Sequence, residues 1–250
     1  MSDNNLLEKN IYFLIKNKLT SKYNFDEKTL FKNFLFYLKN TFSRINFKDK
    51  TILDVGSGNG IFSFYFIING AKEVVCLEPS LDGSDNNNEN IFLSIVNEFS
   101  FTNIKFINQS LQNYITNKRF DLIVMKDSIN HINEDACINL KKNNYNRKIY
   151  IDIFNKINSL MLPDSQIFLS DASSKNFFGD LKIKNPFVGE IEWFKHQEPN
   201  IWISLMKETD FDIKFLDWSS INSLQFLGKM SNSKLISYFT SSNFRIIAKK

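Results

Sequence analysis

The segment Thr51-Ile52-Leu53-Asp54-Val55 is largely apolar and β-branched, and it runs straight into Gly56-Ser57-Gly58-Asn59-Gly60 and then the apolar stretch from Ile61. Apolar residues on successive positions, rather than every second one, mark a strand buried on both faces. Glycines directly after such a strand turn the backbone sharply and leave room for a ligand that a Cβ would exclude. A helix is expected from about Gly60 to Asn69. This strand, turn and helix commit the chain to an α/β architecture before anything else is read.

The same alternation recurs downstream. Strands are expected at Glu73 to Leu77, Ile104 to Ile107, Phe120 to Met125 and Gln166 to Ser170, with helices around Asn90 to Phe99 and, as one long element, Glu134 to Leu160. Such an order implies a parallel sheet covered by helices on both faces, with its ligand at the carboxyl ends of the strands where their order reverses. A chain of 250 residues accommodates one such domain with decorations. Residues 1–45 read as a helical cap, from apolar spacing over Leu6 to Phe42 that is broken near Ser21 to Asp26. Residues 50–172 form the core, and 173–250 carry a long loop, Lys175 to Gly189, a helix opening at Pro199, and strands at Phe211 to Trp218 and Asn243 to Ala248. Loops of that length are more often lids than connectors.

Composition narrows the function classes. Charged residues at 23% and the lack of a long apolar run describe a soluble chain with no membrane span. The polar start, Met1 to Asn10, has neither the basic nor the apolar region of an export signal, so a cytoplasmic location is expected. Cys76 and Cys137 belong to no metal-binding spacing, so two free thiols and no structural metal are expected. The net charge of +4 is spread among acids, which disfavours a nucleic-acid partner. Monomer and homodimer both stay open.

Two nucleotide cofactors compete for the glycine turn. A dinucleotide fingerprint wants a small residue three positions after Gly58, and Ile61 stands there. Gly56, Gly58 and Gly60, with Asp54 two residues ahead, closely resemble motif I of the class I, Rossmann-like S-adenosylmethionine-dependent methyltransferases. The resemblance is specific from Thr51 to about Ser128 and looser elsewhere. It implies a doubly wound sheet of seven strands with the last one, near Asn243 to Ala248, antiparallel, and S-adenosyl-L-methionine as cofactor. It further implies that Asp54, Gly56, Ser57, Gly58 and Gly60 wrap the cofactor. Glu78, followed by Pro79 at the next strand end, is expected to hold the ribose, since a carboxylate accepts from two hydroxyls at once. Ser110-Leu111 stands where the family often has an aspartate for the adenine amino group; Ser110 reads equally as a helix N-cap.

The fourth strand runs into Lys126-Asp127-Ser128-Ile129-Asn130-His131, where the family places residues facing the methyl group. Lys126 is assigned to the cofactor side. His131 is read as a general base, with Asn130 orienting the acceptor and Asp127 beside them; the competing reading of His131 is a packing or capping residue. Asp127 and Asp171 also suit a metal-assisted catechol-type site, but a third ligand is missing, so no metal is expected. The Asp/Asn-Pro-Pro-aromatic and Pro-Cys signatures of nucleobase methylation are absent. Further on, Glu190, Glu192, Trp193 and His196 mix aromatic and polar groups in the manner of a small-molecule pocket, while Trp193 and Trp202 also read as core. The expected reaction is O- or N-methylation of a small acceptor. A nicotinamide-dependent oxidoreductase and a non-catalytic cofactor-binding subunit are the rival readings.

Overall fold

A computed structural model describes residues 27–79, 88–188, 191–219 and 232–250. The first expected helix, near Leu6 to Ile15, lies outside them. The second is present as α1, Glu27–Thr41, and is followed by β1 (Thr51–Val55), α2 (Ile61–Ile68), β2 (Glu73–Leu77), α3 (Asn88–Phe99), β3 (Ile104–Ile107) and β4 (Phe120–Lys126). After these come α4 (Glu134–Ile138), α5 (Asn144–Leu160), β5 (Met161–Ala172), α6 (Phe177–Asp180), α7 (Pro199–Glu208), β6 (Asp212–Ser219), α8 (Lys234–Tyr238) and β7 (Asn243–Lys249). The strands form one seven-stranded sheet in the order β3-β2-β1-β4-β5-β7-β6. Pairs from β3 to β5 are parallel, and β7 lies antiparallel between β5 and β6. The sheet is therefore the doubly wound, Rossmann-like one with its last strand reversed.

Order reverses at β1, which has β2 on one side and β4 on the other. A crevice opens at such a switch point because the following connections leave toward opposite faces. The glycine turn after β1 sits at that crevice.

Both faces are covered, which explains the unbroken apolar runs. Leu53, Val55, Leu77 and Ile123 pack with Tyr150, Phe154, Trp202 and Leu205, from α5 and α7, on one face. Ile52, Val74, Leu122 and Val124 pack with α1, α2 and α3 on the other, through Leu38, Phe42, Phe64 and Phe92. The Phe42 ring stands 5.1 Å from both Phe66 and Phe168. Burying a phenylalanine contributes on the order of 1.5–3 kcal/mol, so the chain is fastened to the core directly after α1.

The single helix expected over Glu134 to Leu160 is two. Asn139 closes α4, and Asn143 opens α5 by accepting from the Asn146 N–H at 2.9 Å. Asparagine competes for backbone groups and favours caps over helix interiors, and the run Lys141-Lys142-Asn143-Asn144 concentrates that tendency. β5 also extends past both expected ends, and the long loop after it contains the short helix α6, opened by Asn176.

Candidate active site

The turn after β1 is held from two sides. The Gly56 and Ser57 N–H groups donate to Leu77 O at 2.8 and 3.2 Å, tying the turn to β2. The Ser128 hydroxyl donates to Val55 O at 2.6 Å, tying it to the segment after β4. A Cβ on Gly56 would lie 2.4 Å from Ser128 Cβ, so glycine is required there by close approach. A Cβ on Gly60 would strike Phe92 at 2.6 Å, which makes that position a matter of helix packing.

Gly58 differs from both. Its φ is +53°, and a Cβ built on it meets nothing within 4 Å. Neighbouring protein does not demand this glycine's lack of a side chain; its backbone faces open space, as a cradle for a ligand does. The Gly58 N–H donates to Glu78 Oε2 at 2.8 Å, so the carboxylate at the end of β2 sets the loop's position. Glu78 is half-buried, and burial pushes its pKa up against the opposing pull of the Gly58 N–H, the Asn88 amide and the His131 charge. Pro79 follows, half-buried.

Asp54 faces away from the open space, into the layer beneath the loop. It is 1% exposed, and its Oδ2 accepts from the Ser63 hydroxyl at 2.6 Å. Cys76 donates to the same hydroxyl at 3.0 Å. Burial raises the Asp54 pKa to about 7, the Ser63 bond opposing it and the Glu78 charge adding to it. Ser57 is buried beside this group. Leu111 is 3% exposed within the core, and Ser110 accepts from the Asn113 N–H at 3.3 Å, a local turn bond.

Across the crevice, Lys126 is buried at the end of β4 and pairs with Asp127. Burial pulls its pKa down, but the Asp127 carboxylate and the Tyr37 phenol outweigh that and leave it raised. Its Nζ is 5.9 Å from the rings of Tyr37 and Phe62, so α1 and α2 roof this cation. Asp127 has a φ of +54° and donates its N–H to Ser170 O at 2.8 Å, which locks β4 to β5 at the edge of the site.

Residues Ile129–His131 form a single 3-10 turn. The Tyr150 hydroxyl, from the far cluster, fixes it by donating to Ile129 O and Asn133 O at 3.0 and 3.1 Å. Asn130 is 1% exposed, and its Oδ1 has no partner among the described residues. His131 is largely exposed, with Nδ1 3.3 Å from Glu134 Oε2 and Nε2 3.3 Å from Asn130 Nδ2. A carboxylate on Nδ1 and an amide donor on Nε2 select the tautomer in which Nε2 carries the lone pair.

The downstream set is divided. Glu190 lies outside the described residues. Glu192 is exposed and pairs with Lys195, which also bridges to Glu134 at 2.8 Å. Trp193 is half-buried in a 3-10 turn, whereas Trp202 is fully buried in the core. His196 reaches the end of β5, where its Nδ1 stands 3.0 Å from Asp171 Oδ1. Asp171 is 1% exposed and its pKa is raised by burial, against the pull of His196. Asp127 and Asp171 thus each have a cationic or imidazole partner. Among the described residues no three His, Cys, Asp or Glu side chains converge to hold a metal ion.

Comparison with known families settles what kind of domain this is. A family model described as a methyltransferase domain matches residues 26–249. The chain belongs to this family. Among curated proteins none matches the sequence. Solved structures with the same fold include an S-adenosylmethionine dependent methyltransferase from Mesorhizobium loti, 12% identical, with 87% of this chain and 98% of that one covered and a TM-score of 0.57. The N-methyltransferase NodS from Bradyrhizobium japonicum is 8% identical, with coverage of 88% and 97% and a TM-score of 0.55. The [4+2]-cyclase SpnF is 11% identical, with coverage of 91% and 84% and a TM-score of 0.58. At these identities the likeness is one of fold.

Several residues that shape this methyltransferase domain carry no signal in the sequence. Tyr37 and Phe62 look like ordinary members of amphipathic helices, yet they flank Lys126. Ser63 reads as a polar lapse in an apolar helix and instead bridges Asp54 and Cys76. Asp171 and His196 are both visible as titratable groups, but nothing in the sequence pairs two residues 25 positions apart.

Proposed function

We propose that the chain transfers a methyl group from S-adenosyl-L-methionine to an oxygen or nitrogen of a small molecule. The observation that carries this reading is Gly58, whose backbone faces open space at the switch point while its N–H is held by Glu78. A dinucleotide would need a small residue at position 61, and Ile61 opens α2 there, half-buried. The residues fit the sulfonium cofactor: Gly56, Ser57 and Gly58 supply the loop, and Glu78 supplies acceptors for ribose hydroxyls. When bound, the cofactor supplies an electrophilic methyl. Among the described residues no helix is long and apolar enough to cross a membrane.

The chain's own groups have three tasks. The crevice aligns the acceptor with the methyl carbon, which alone accounts for much of the rate in such displacements. Tyr37, Phe62 and the buried Lys126 exclude water on the β4 side. His131 Nε2 takes the acceptor's proton once the acceptor displaces the Asn130 amide from that lone pair, with Glu134 holding Nδ1.

A second base is favoured by one observation: His196 is backed by the buried Asp171, an arrangement that also leaves Nε2 as the lone-pair nitrogen. The test is transfer of isotopically labelled methyl from S-adenosylmethionine into a small-metabolite extract. His131→Ala is expected to lower turnover about a hundredfold to ten-thousandfold with cofactor affinity intact. Loss confined to His196→Ala would move the base to the Asp171 pair, and incorporation into macromolecules alone would refute the small-acceptor reading.

A further inference from the structure

The carboxyl edge of the sheet carries a second recess, beyond β5. A cavity of about 370 Å³ lies there, within the range of roughly 300–1,000 Å³ usual for small-molecule sites. Trp218 of β6 and Tyr238 of α8 supply aromatic walls, and Leu216 and Leu235 supply apolar ones. Leu216 is 40% and Leu235 68% exposed, so this apolar surface is left unburied by the core. The near wall is Ser173 and Glu198, each two residues past a member of the Asp171–His196 pair.

Sheet register places the cavity relative to that pair. Asp171 is opposite Phe244, and Phe244 is opposite Trp218, so the three side chains share one face of β5, β7 and β6. The Trp218 and Phe244 rings are 6.2 Å apart. Two strand spacings, roughly 10 Å, separate Asp171 from Trp218, a span that a two-ring molecule covers.

The charge left over in the cavity is positive. Glu198 is paired with Lys141 at 2.7 Å, and Tyr238 donates to Asp180 at 2.9 Å. Lys175 and Lys234 also line it and form no ion pair with a described carboxylate, and Lys234 Nζ is 5.9 Å from the Trp218 ring. We propose that this cavity is the distal half of the acceptor site, and that it selects a planar aromatic acid whose ring lies on Trp218 and whose carboxylate meets Lys175 and Lys234. This deepens the proposed function and rests on it: the far end of the molecule, bearing a hydroxyl or amine, extends toward His196 and β4.

Calorimetric titration of 6-hydroxy-2-naphthoate, and of uncharged 2-naphthol, into the full chain tests the assignment, with S-adenosylhomocysteine titrated in parallel. The naphthoate is expected to bind more tightly than the naphthol. Reversing both exposed charges, Lys175→Glu with Lys234→Glu, is expected to weaken the naphthoate about tenfold while leaving the naphthol unchanged. Trp218→Ala is expected to weaken both by at least about tenfold. Neither variant alters S-adenosylhomocysteine affinity. Equal naphthoate binding by the charge-reversed and parent chains would overturn the proposal, as would no naphthoate binding by a parent chain that binds S-adenosylhomocysteine. Failure of S-adenosylhomocysteine itself to bind would instead bring down the methyl-transfer reading.

Discussion

Glu78 does two jobs with one carboxylate: it holds the Gly58 N–H and it stands where ribose hydroxyls are expected. Removing it therefore loosens the loop as well as deleting an acceptor. Hydrogen bonds to a charged group contribute on the order of 1.5 to 3 kcal/mol, so Glu78→Ala should weaken S-adenosylhomocysteine binding roughly tenfold to a hundredfold in calorimetry. Glu78→Gln keeps an oxygen for Gly58 and should lose less; unchanged affinity in the alanine variant would remove Glu78 from the cofactor site. Asp54 yields a prediction of another kind. With a folded pKa near 7, it keeps a proton that the unfolded chain has already released above the ordinary carboxylate range. The native state then binds more protons than the unfolded one in that window, so stability falls as pH rises from about 4 to about 7 and levels off above. Asp54→Asn preserves an acceptor for Ser63 and should flatten this slope, read as Tm against pH. A slope identical to the parent's would show that Asp54 is not its source. The glycines, Glu78 and the β4-end residues were legible because spacing from a strand end places them. Asp54's burial was not, because an acid two residues before the turn looks the same whether it faces a ligand or the layer below.

Element boundaries were legible where one physical signal dominates. Continuous β-branched runs fixed β1 through β4 closely, and Pro199, which lacks the N–H a first helical turn leaves unpaired, marked the start of α7. Where two signals conflict, the weaker reading failed. Apolar periodicity continues from Glu134 to Leu160, but the asparagines at 139 and 143 cap backbone groups and split the helix. Substitution of such a cap typically costs about 1 kcal/mol, so Asn143→Ala should lower stability by about that amount in denaturant unfolding, with no change in cofactor affinity. A neutral result would mean that tertiary packing of Tyr150 and Phe154, rather than the cap, starts α5. Pairings across elements were the least legible: Tyr150 anchoring the Ile129–His131 turn and His196 meeting Asp171 both depend on how α5 and the late loop dock.

At the scale of the whole molecule, three strands, β5, β7 and β6, lie beyond the cofactor crevice, and the aromatic cavity sits at the carboxyl ends of β5 and β6, where the reversed β7 begins. The glycine turn at β1 and that cavity thus bracket β4 and β5; the Asn130–His131 contact follows β4, and the Asp171–His196 contact stands at the end of β5. One fold carries both methyltransferases and a cyclase, so the chemistry is decided at the crevice rather than by the sheet. The most direct measurement is calorimetric titration of S-adenosylhomocysteine and of NADH into the parent chain and into Gly58→Val. Saturable binding of S-adenosylhomocysteine, absence of NADH binding, and loss of the former in a Gly58→Val chain that still unfolds cooperatively are the results expected. Binding of NADH in place of S-adenosylhomocysteine, or undiminished S-adenosylhomocysteine affinity in Gly58→Val, would contradict the account.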